Sequence, residues 1–306
     1  MPHRTLISAL LAQLGRAIVG KPEQLQQAVV CLLAGGHLLL EDVPGVGKTT
    51  LAHALAHSFG LQFSRVQFTA DLMPSDLTGV AVFERSRDAF VFHPGPLFAQ
   101  VLLADEINRA SPKTQSALLE AMEEKQVSVE GQTRALPQPF FVIATQNPLE
   151  QVGTYALPES QLDRFLMRIS LGYPSRDAER ELLAGNGRRS VADELSAVIT
   201  PAQLQALQAQ VLAVHASESL LDYVLDLTEA SRNGAWFVQG ISPRAAIALL
   251  RAAKAQALVS GRDFVAPDDV QAVLPQVIAH RLQPVASAGR GALAQVQAML
   301  AAVALR

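Results

Sequence analysis

Glu41-Asp42-Val43-Pro44-Gly45-Val46-Gly47-Lys48-Thr49-Thr50 is the stretch on which the reading of this chain turns. It follows a short apolar run, His37 to Glu41, and opens onto the helix-like segment Thr49 to Phe59. A glycine-rich turn between strand and helix lets backbone N–H groups wrap phosphates, and the helix N-terminus adds partial positive charge. Lys48 would reach the β- and γ-phosphates of a nucleotide, and the Thr49 hydroxyl would ligate Mg²⁺. Pro44, Gly45, Val46, Gly47 and Thr50 make up the rest of the cradle. The strict pattern asks for glycine where this chain has Asp42, but the Gly-x-Gly-Lys-Thr centre is intact.

Outward from that loop, strand-like and helix-like segments alternate. Phe63 to Thr69, Val101 to Ala104, Phe140 to Thr145 and Phe165 to Leu171 read as further strands, and Thr114 to Glu124 as a helix. Apolar runs separated by helices imply a mostly parallel, five-stranded sheet covered on both faces. Gly79 to His93 and Val127 to Leu136 alternate in polarity and contain turn residues, so each is expected to be an inserted hairpin. At the N-terminus, Leu6, Leu10, Leu14 and Ile18 share the spacing of one helix face. Strand signals stop near Gly172-Tyr173-Pro174, which sets an α/β nucleotide-binding domain over 1–173 and a small helical lid over 174–306. The lid helices are expected at Pro201 to Val214, Ser219 to Arg232, Arg244 to Val259 and Asp268 to His280, each after a turn or cap. Gly185 to Arg189 and Ser287 to Gly291 read as loops.

Three strand or helix ends carry the remaining chemistry. Leu102-Leu103-Ala104-Asp105-Glu106 is an apolar strand closing on two acids. With the lysine loop upstream, Asp105 suits a Mg²⁺ ligand and Glu106 a general base that polarises water. Phe140 to Asn147 ends on an amide that would orient that water, although Pro148 also makes it a plain Asn-Pro turn. Arg164 precedes a strand and Arg244 opens a lid helix; either guanidinium could stabilise charge on a transferring phosphoryl group or pair with a surface carboxylate. His53 and His57 lie four apart on one helix face, but a zinc site needs a third ligand, so packing or surface histidines are favoured. Cys31, among Val29, Val30, Leu32 and Leu33, reads as a buried small hydrophobe.

Composition excludes several classes. In 306 residues, 49% are hydrophobic and 17% charged, which supplies a core and argues against disorder. Balanced charge, 25 basic against 28 acidic residues, disfavours a globally basic nucleic-acid binder. A single cysteine rules out an intramolecular disulfide framework and suits a reducing compartment. No run reaches the length of a membrane span, and the expectation is a soluble cytoplasmic protein.

The ordered set PGVGKTT, LLADEINRASPKTQSALLEAMEE, FFVIATQNP, LPESQLDRF and ISPRA strongly resembles the MoxR family of AAA+ ATPases over about residues 15–280. The resemblance implies the AAA+ strand order 5-1-4-3-2, with Lys48 and Thr49 in Walker A, Asp105 and Glu106 in Walker B, and Asn147 as sensor 1. Arg164 looks like the arginine finger that acts on the neighbouring subunit's ATP. Arg244 looks like sensor 2, contacting the γ-phosphate of its own subunit. Ile18-Val19-Gly20 resembles the stretch that lines adenine. The two hairpins are similar to the helix-2 insert and the pre-sensor-1 hairpin, facing the pore or upper ring surface. Arg109 and Glu123 belong to the family-specific stretch, where they either couple the catalytic edge to the subunit interface or form a salt bridge. The family implies a hexamer, ATP and Mg²⁺, a von Willebrand factor A domain partner, and a chaperone-like role in maturing client proteins or inserting metal or cofactor. Two other classes stay open from the residues: a nucleotide-gated scaffold without turnover, which an intact Glu106 disfavours, and a DNA-remodelling motor, which the charge balance disfavours.

Overall fold

The structure is a computed structural model that describes residues 2–148, 153–183, 195–285 and 291–305. The loop expected over 185–189 lies outside these residues, as does 287–290 of the second. Five parallel strands form the central sheet: β1 (His37–Glu41), β2 (Phe63–Gln67), β5 (Val101–Asp105), β8 (Phe141–Gln146) and β9 (Phe165–Ile169). Their order is β2-β5-β8-β1-β9, which is the implied 5-1-4-3-2 order read from the other edge. Successive side chains alternate between two cores. Leu38, Leu40, Leu103 and Ile143 face one; Leu39, Leu102, Ala104 and Val142 face the other. The first core is closed by helices α1 (Pro2–Ala17), α2 (Pro22–Leu33) and α3 (Lys48–Ser58), the second by α5 (Pro112–Glu124). Burial on both faces is why these strands read as continuous apolar runs.

Both hairpins form. In β3 (Gly79–Glu84) and β4 (Ala89–Pro94) the root is tight: a Cβ on Gly79 would lie 2.2 Å from His93 O, so only glycine fits. Strands β6 (Gln126–Val129) and β7 (Gln132–Ala135) are joined by Glu130 and Gly131, both at positive φ, the geometry of a two-residue hairpin turn. Arg134 of this hairpin lies 4.0 Å over the Phe92 ring of the first, a cation–π contact that ties the two insertions together.

Beyond β9 the described elements are helical. After α4 (Pro74–Thr78) and α6 (Glu159–Leu162) in the sheet region come α7 (Arg176–Leu183), α8 (Pro201–Ala213), α9 (Glu218–Arg232), α10 (Pro243–Val259), α11 (Pro267–Ile278) and α12 (Ala292–Ala302). Thr200, Ser217 and Ser242 cap α8, α9 and α10 by accepting backbone N–H groups, as their positions in the sequence led one to expect. α2, α7 and α12 were not anticipated. The second half of α2 is buried through six consecutive residues, Ala28 to Leu33, so no amphipathic stripe marks that half.

The lid is fastened to the amino-terminal edge of the sheet. α10 packs against α11 and α2. Arg281, after α11, donates to Phe165 O at 2.8 Å and pairs with Asp163 at 2.9 Å. Burial lowers its pKa to about 10, and Asp163 opposes that fall, so it stays charged at neutral pH.

Two buried histidines support the same edge. Nδ1 of His37 accepts Val142 N–H at 3.0 Å while Nε2 faces Met122 O at 3.2 Å, which fixes a neutral ring. Burial lowers the pKa of His37 to about 4 and that of His280 to about 3, the latter helped by Arg281. The unfolded chain takes up these protons near pH 6.5, so stability is complete above that pH and is lost as pH falls toward 4 and 3. Denaturant titrations should therefore show lower stability at pH 5 than at pH 7.5, by about 2 kcal/mol per histidine.

Candidate nucleotide site

The phosphate loop lies at the carboxyl-terminal rim of the sheet. Gly45 and Gly47 have φ of 85° and 98°, a region where other residues are strained, and Gly47 delivers the chain into α3. Pro44, Gly45, Gly47, Lys48, Thr49 and Thr50 line a cleft of about 380 Å³ together with Asp105, Glu106 and Asn147. Lys48 Nζ donates to Asp42 O at 2.6 Å and Val43 O at 3.0 Å, which holds the ammonium over the loop. A second cavity of about 190 Å³ adjoins it, lined by Ile18, Val19 and Pro174 with Val46 and the loop glycines. Gly20 does not line that cavity; it borders the adjoining hollow beside Leu11 and Leu25.

The two acids are held by Arg109 and by three groups the sequence reading did not pick out, Arg65, Gln67 and Thr145. Thr145 donates to Asp105 Oδ1 at 2.6 Å and accepts Glu106 N–H at 2.9 Å, so one hydroxyl fixes both residues. Arg65 Nη2 lies 2.6 Å from Asp105 Oδ2. Gln67 Nε2 donates to Glu106 Oε2 at 2.7 Å, and Arg109 Nε lies 3.1 Å from the same oxygen. Glu106 sits at φ 56°, ψ 50°, a left-handed conformation for a residue with a Cβ, which turns its side chain at the strand end. Arg65 and Gln67 lie two apart on β2, and so on one face, at its carboxyl end. That pairing of polar residues at a strand terminus was the available signal.

Hard oxygen donors suit Mg²⁺, and the Thr49 hydroxyl and Asp105 carboxylate share this cleft. Arg65 would have to yield one Asp105 oxygen, or the ion would be held through water.

Arg164 and Arg244 are elsewhere. They line a cavity of about 250 Å³ with Gly35, Gly36, His37 and Arg281, at the amino-terminal edge of β1 and β9. Glu123 bridges them, at 3.0 Å from Arg164 Nη2 and 3.0 Å from Arg244 Nη1. Arg164 also donates to Leu119 O at 2.7 Å. A five-residue strand separates this edge from the phosphate loop, roughly 16 Å at about 3.3 Å per residue. The expectation that Arg244 contacts its own subunit's γ-phosphate is therefore corrected. The lid packs beneath the opposite rim, and Arg244 accompanies Arg164. Arg109 and Glu123 thus serve separate clusters, one on each rim. His53 packs on Phe63 with ring centroids 4.1 Å apart and lies along His57. Cys31 is fully buried, and desolvation raises its pKa.

A glycine-turned phosphate loop on the rim of a sheet in this order, followed by an all-helical lid, defines the class as an AAA+ ATPase. Residues 37–167 match the ATPase family associated with various cellular activities (AAA), and residues 229–299 match the AAA lid domain. The chain is 47% identical over 277 residues to the uncharacterized protein YeaC of Bacillus subtilis, covering 90% of this chain and 87% of that one. It is 44% identical over 276 residues to Chaperone MoxR1 of Mycobacterium tuberculosis, covering 87% of this chain and 73% of that one. A crystal structure of a Cytophaga hutchinsonii protein superposes with a TM-score of 0.91 at 36% identity, covering 99% and 96% of the two chains. The chain belongs to the MoxR family of AAA+ ATPases.

Proposed function

We propose that the protein hydrolyses MgATP as one subunit of a ring, most simply a hexamer, and uses the cycle to remodel or mature a client protein. The observation that carries this reading is the division of groups between rims. Lys48, Thr49, Asp105, Glu106 and Asn147 border one cleft, while Arg164 and Arg244 share Glu123 at the other edge. In this reading Ile18, Val19 and Val46 pack on the base, and the loop amides and Lys48 hold the phosphates. Thr49 and Asp105 hold Mg²⁺, which supplies charge neutralisation on the phosphate oxygens. Glu106 takes a proton from water as its oxygen attacks the γ-phosphorus, and Asn147 orients that water. The bond to the β-phosphate oxygen breaks, leaving ADP and phosphate. Arg164 and Arg244 of the neighbouring subunit stabilise the charge that develops.

The chaperone named among the relatives supports protein remodelling as the output. The family resemblance supports a partner with a von Willebrand factor A domain and metal or cofactor insertion as the outcome for the client. Among the described residues no helix is long and apolar enough to cross a membrane.

Lys48→Ala tests the nucleotide site. Removing the only side-chain cation aimed at the phosphates from the loop should weaken ATP binding by about 100-fold, on the order of 3 kcal/mol for charge-assisted bonds. Calorimetric affinity unchanged from wild type would sink the assignment.

A further inference from the structure

Asp42 stands where the strict phosphate-loop pattern has glycine, and it is buried. Its three polar groups reach three different parts of the molecule. The N–H donates to Gln146 O at 3.2 Å, one residue before Asn147. The carbonyl accepts Lys48 Nζ at 2.6 Å. The carboxylate accepts Ser170 Oγ at 2.9 Å and Gly172 N–H at 3.1 Å on Oδ1, and Leu171 N–H on Oδ2. Residues 170–174 connect β9 to the helical lid. The same connector is held from the base side, where Lys21 Nζ donates to Tyr173 O at 2.7 Å and Pro174 walls the second cavity. Glycine at position 42 would keep the first two links and lose the third.

We propose that Asp42 is a positioning residue that couples occupancy of the phosphate loop to the connector leading into the lid. The proposal rests on the nucleotide reading above. A bound triphosphate draws Lys48 off Asp42 O and Val43 O and orders the loop amides around its oxygens. The carboxylate on that ordered backbone then becomes a fixed acceptor for Leu171 and Gly172. When the loop empties, the lysine returns to the carbonyls and the connector amides open more readily. Two acceptor oxygens are needed. Asparagine presents one oxygen and an NH₂, so one buried backbone donor of the connector would face another donor.

Hydrogen exchange at the Leu171 and Gly172 amides of the full chain reads this directly. It is measured with and without Mg²⁺ and a non-hydrolysable ATP analogue, beside analogue affinity and steady-state turnover. In wild type the analogue should slow exchange of both amides by about tenfold or more. In Asp42→Asn the analogue should still bind, the difference should shrink below about threefold, and kcat should fall while KM stays nearly constant. Ser170→Ala keeps both backbone donors on the carboxylate and should retain the wild-type response. If wild type binds the analogue but the two amides do not respond, or if Asp42→Asn responds like wild type, the coupling is overturned. If wild type does not bind the analogue, the nucleotide reading itself fails and the coupling goes with it.

Discussion

Arg164→Ala should reduce ATP turnover of the assembled protein by roughly 10³-fold or more, with nucleotide affinity nearly unchanged. The guanidinium is at the amino-terminal edge of its own sheet, where it cannot touch the phosphates bound by the same chain. Its loss should leave the cleft of the mutated protomer whole and disable a site in the adjacent one. Mixing supplies the decisive comparison. Arg164→Ala and Glu106→Gln are each nearly inactive alone in this scheme. Co-assembled, they juxtapose an intact Glu106 cleft with an intact Arg164, and a fraction of the interfaces should recover turnover. No recovery in verified mixed assemblies would mean that Arg164 does not serve a neighbour. Arg244→Ala should behave in the same way, because Glu123 holds both guanidiniums at one place.

Glu106→Gln should lower kcat by about 10² to 10⁴ while leaving ATP bound. The amide is nearly isosteric but cannot take the proton of the attacking water. Gln67 and Arg109 engage Glu106 Oε2 at 2.7 Å and 3.1 Å, which holds the carboxylate at the strand end. Equal steady-state rates for wild type and variant would show that another group is the base, and would revive a nucleotide-gated scaffold. The trapped, ATP-bound variant is also the form with which to co-purify a client or partner.

The strands and both hairpins were legible because each depends on local demands of the backbone, whereas the strand order came only from the family resemblance. Gly45 and Gly47 sit at positive φ, and Glu130-Gly131 makes a two-residue turn. The apolar strands alternate between two cores. The cleft was legible for the same reason: Lys48, Asp105, Glu106 and Asn147 are all strand or loop ends, and parallel strands bring such ends to one rim. The lid's placement was not. Nothing around Arg244 in sequence says which rim the helix will meet; contacts made across the whole chain decide it, α10 on α2 and Arg281 on Phe165 and Asp163. α2 escaped because its second half, Ala28 to Leu33, is buried all round and loses the 3.6-residue stripe. Arg65, Gln67 and Thr145 act by holding other residues, and no spacing rule names such supports.

The lid's seat under the amino-terminal edge has a geometric corollary. Because the cleft and the guanidiniums lie on opposite rims, a copy that offers its arginines to one neighbour can take those of another into its own cleft. Repetition of that contact from copy to copy is head-to-tail. An open arc then always ends in one cleft lacking its arginines and one set of arginines lacking a cleft, and only rotational closure puts every copy to use.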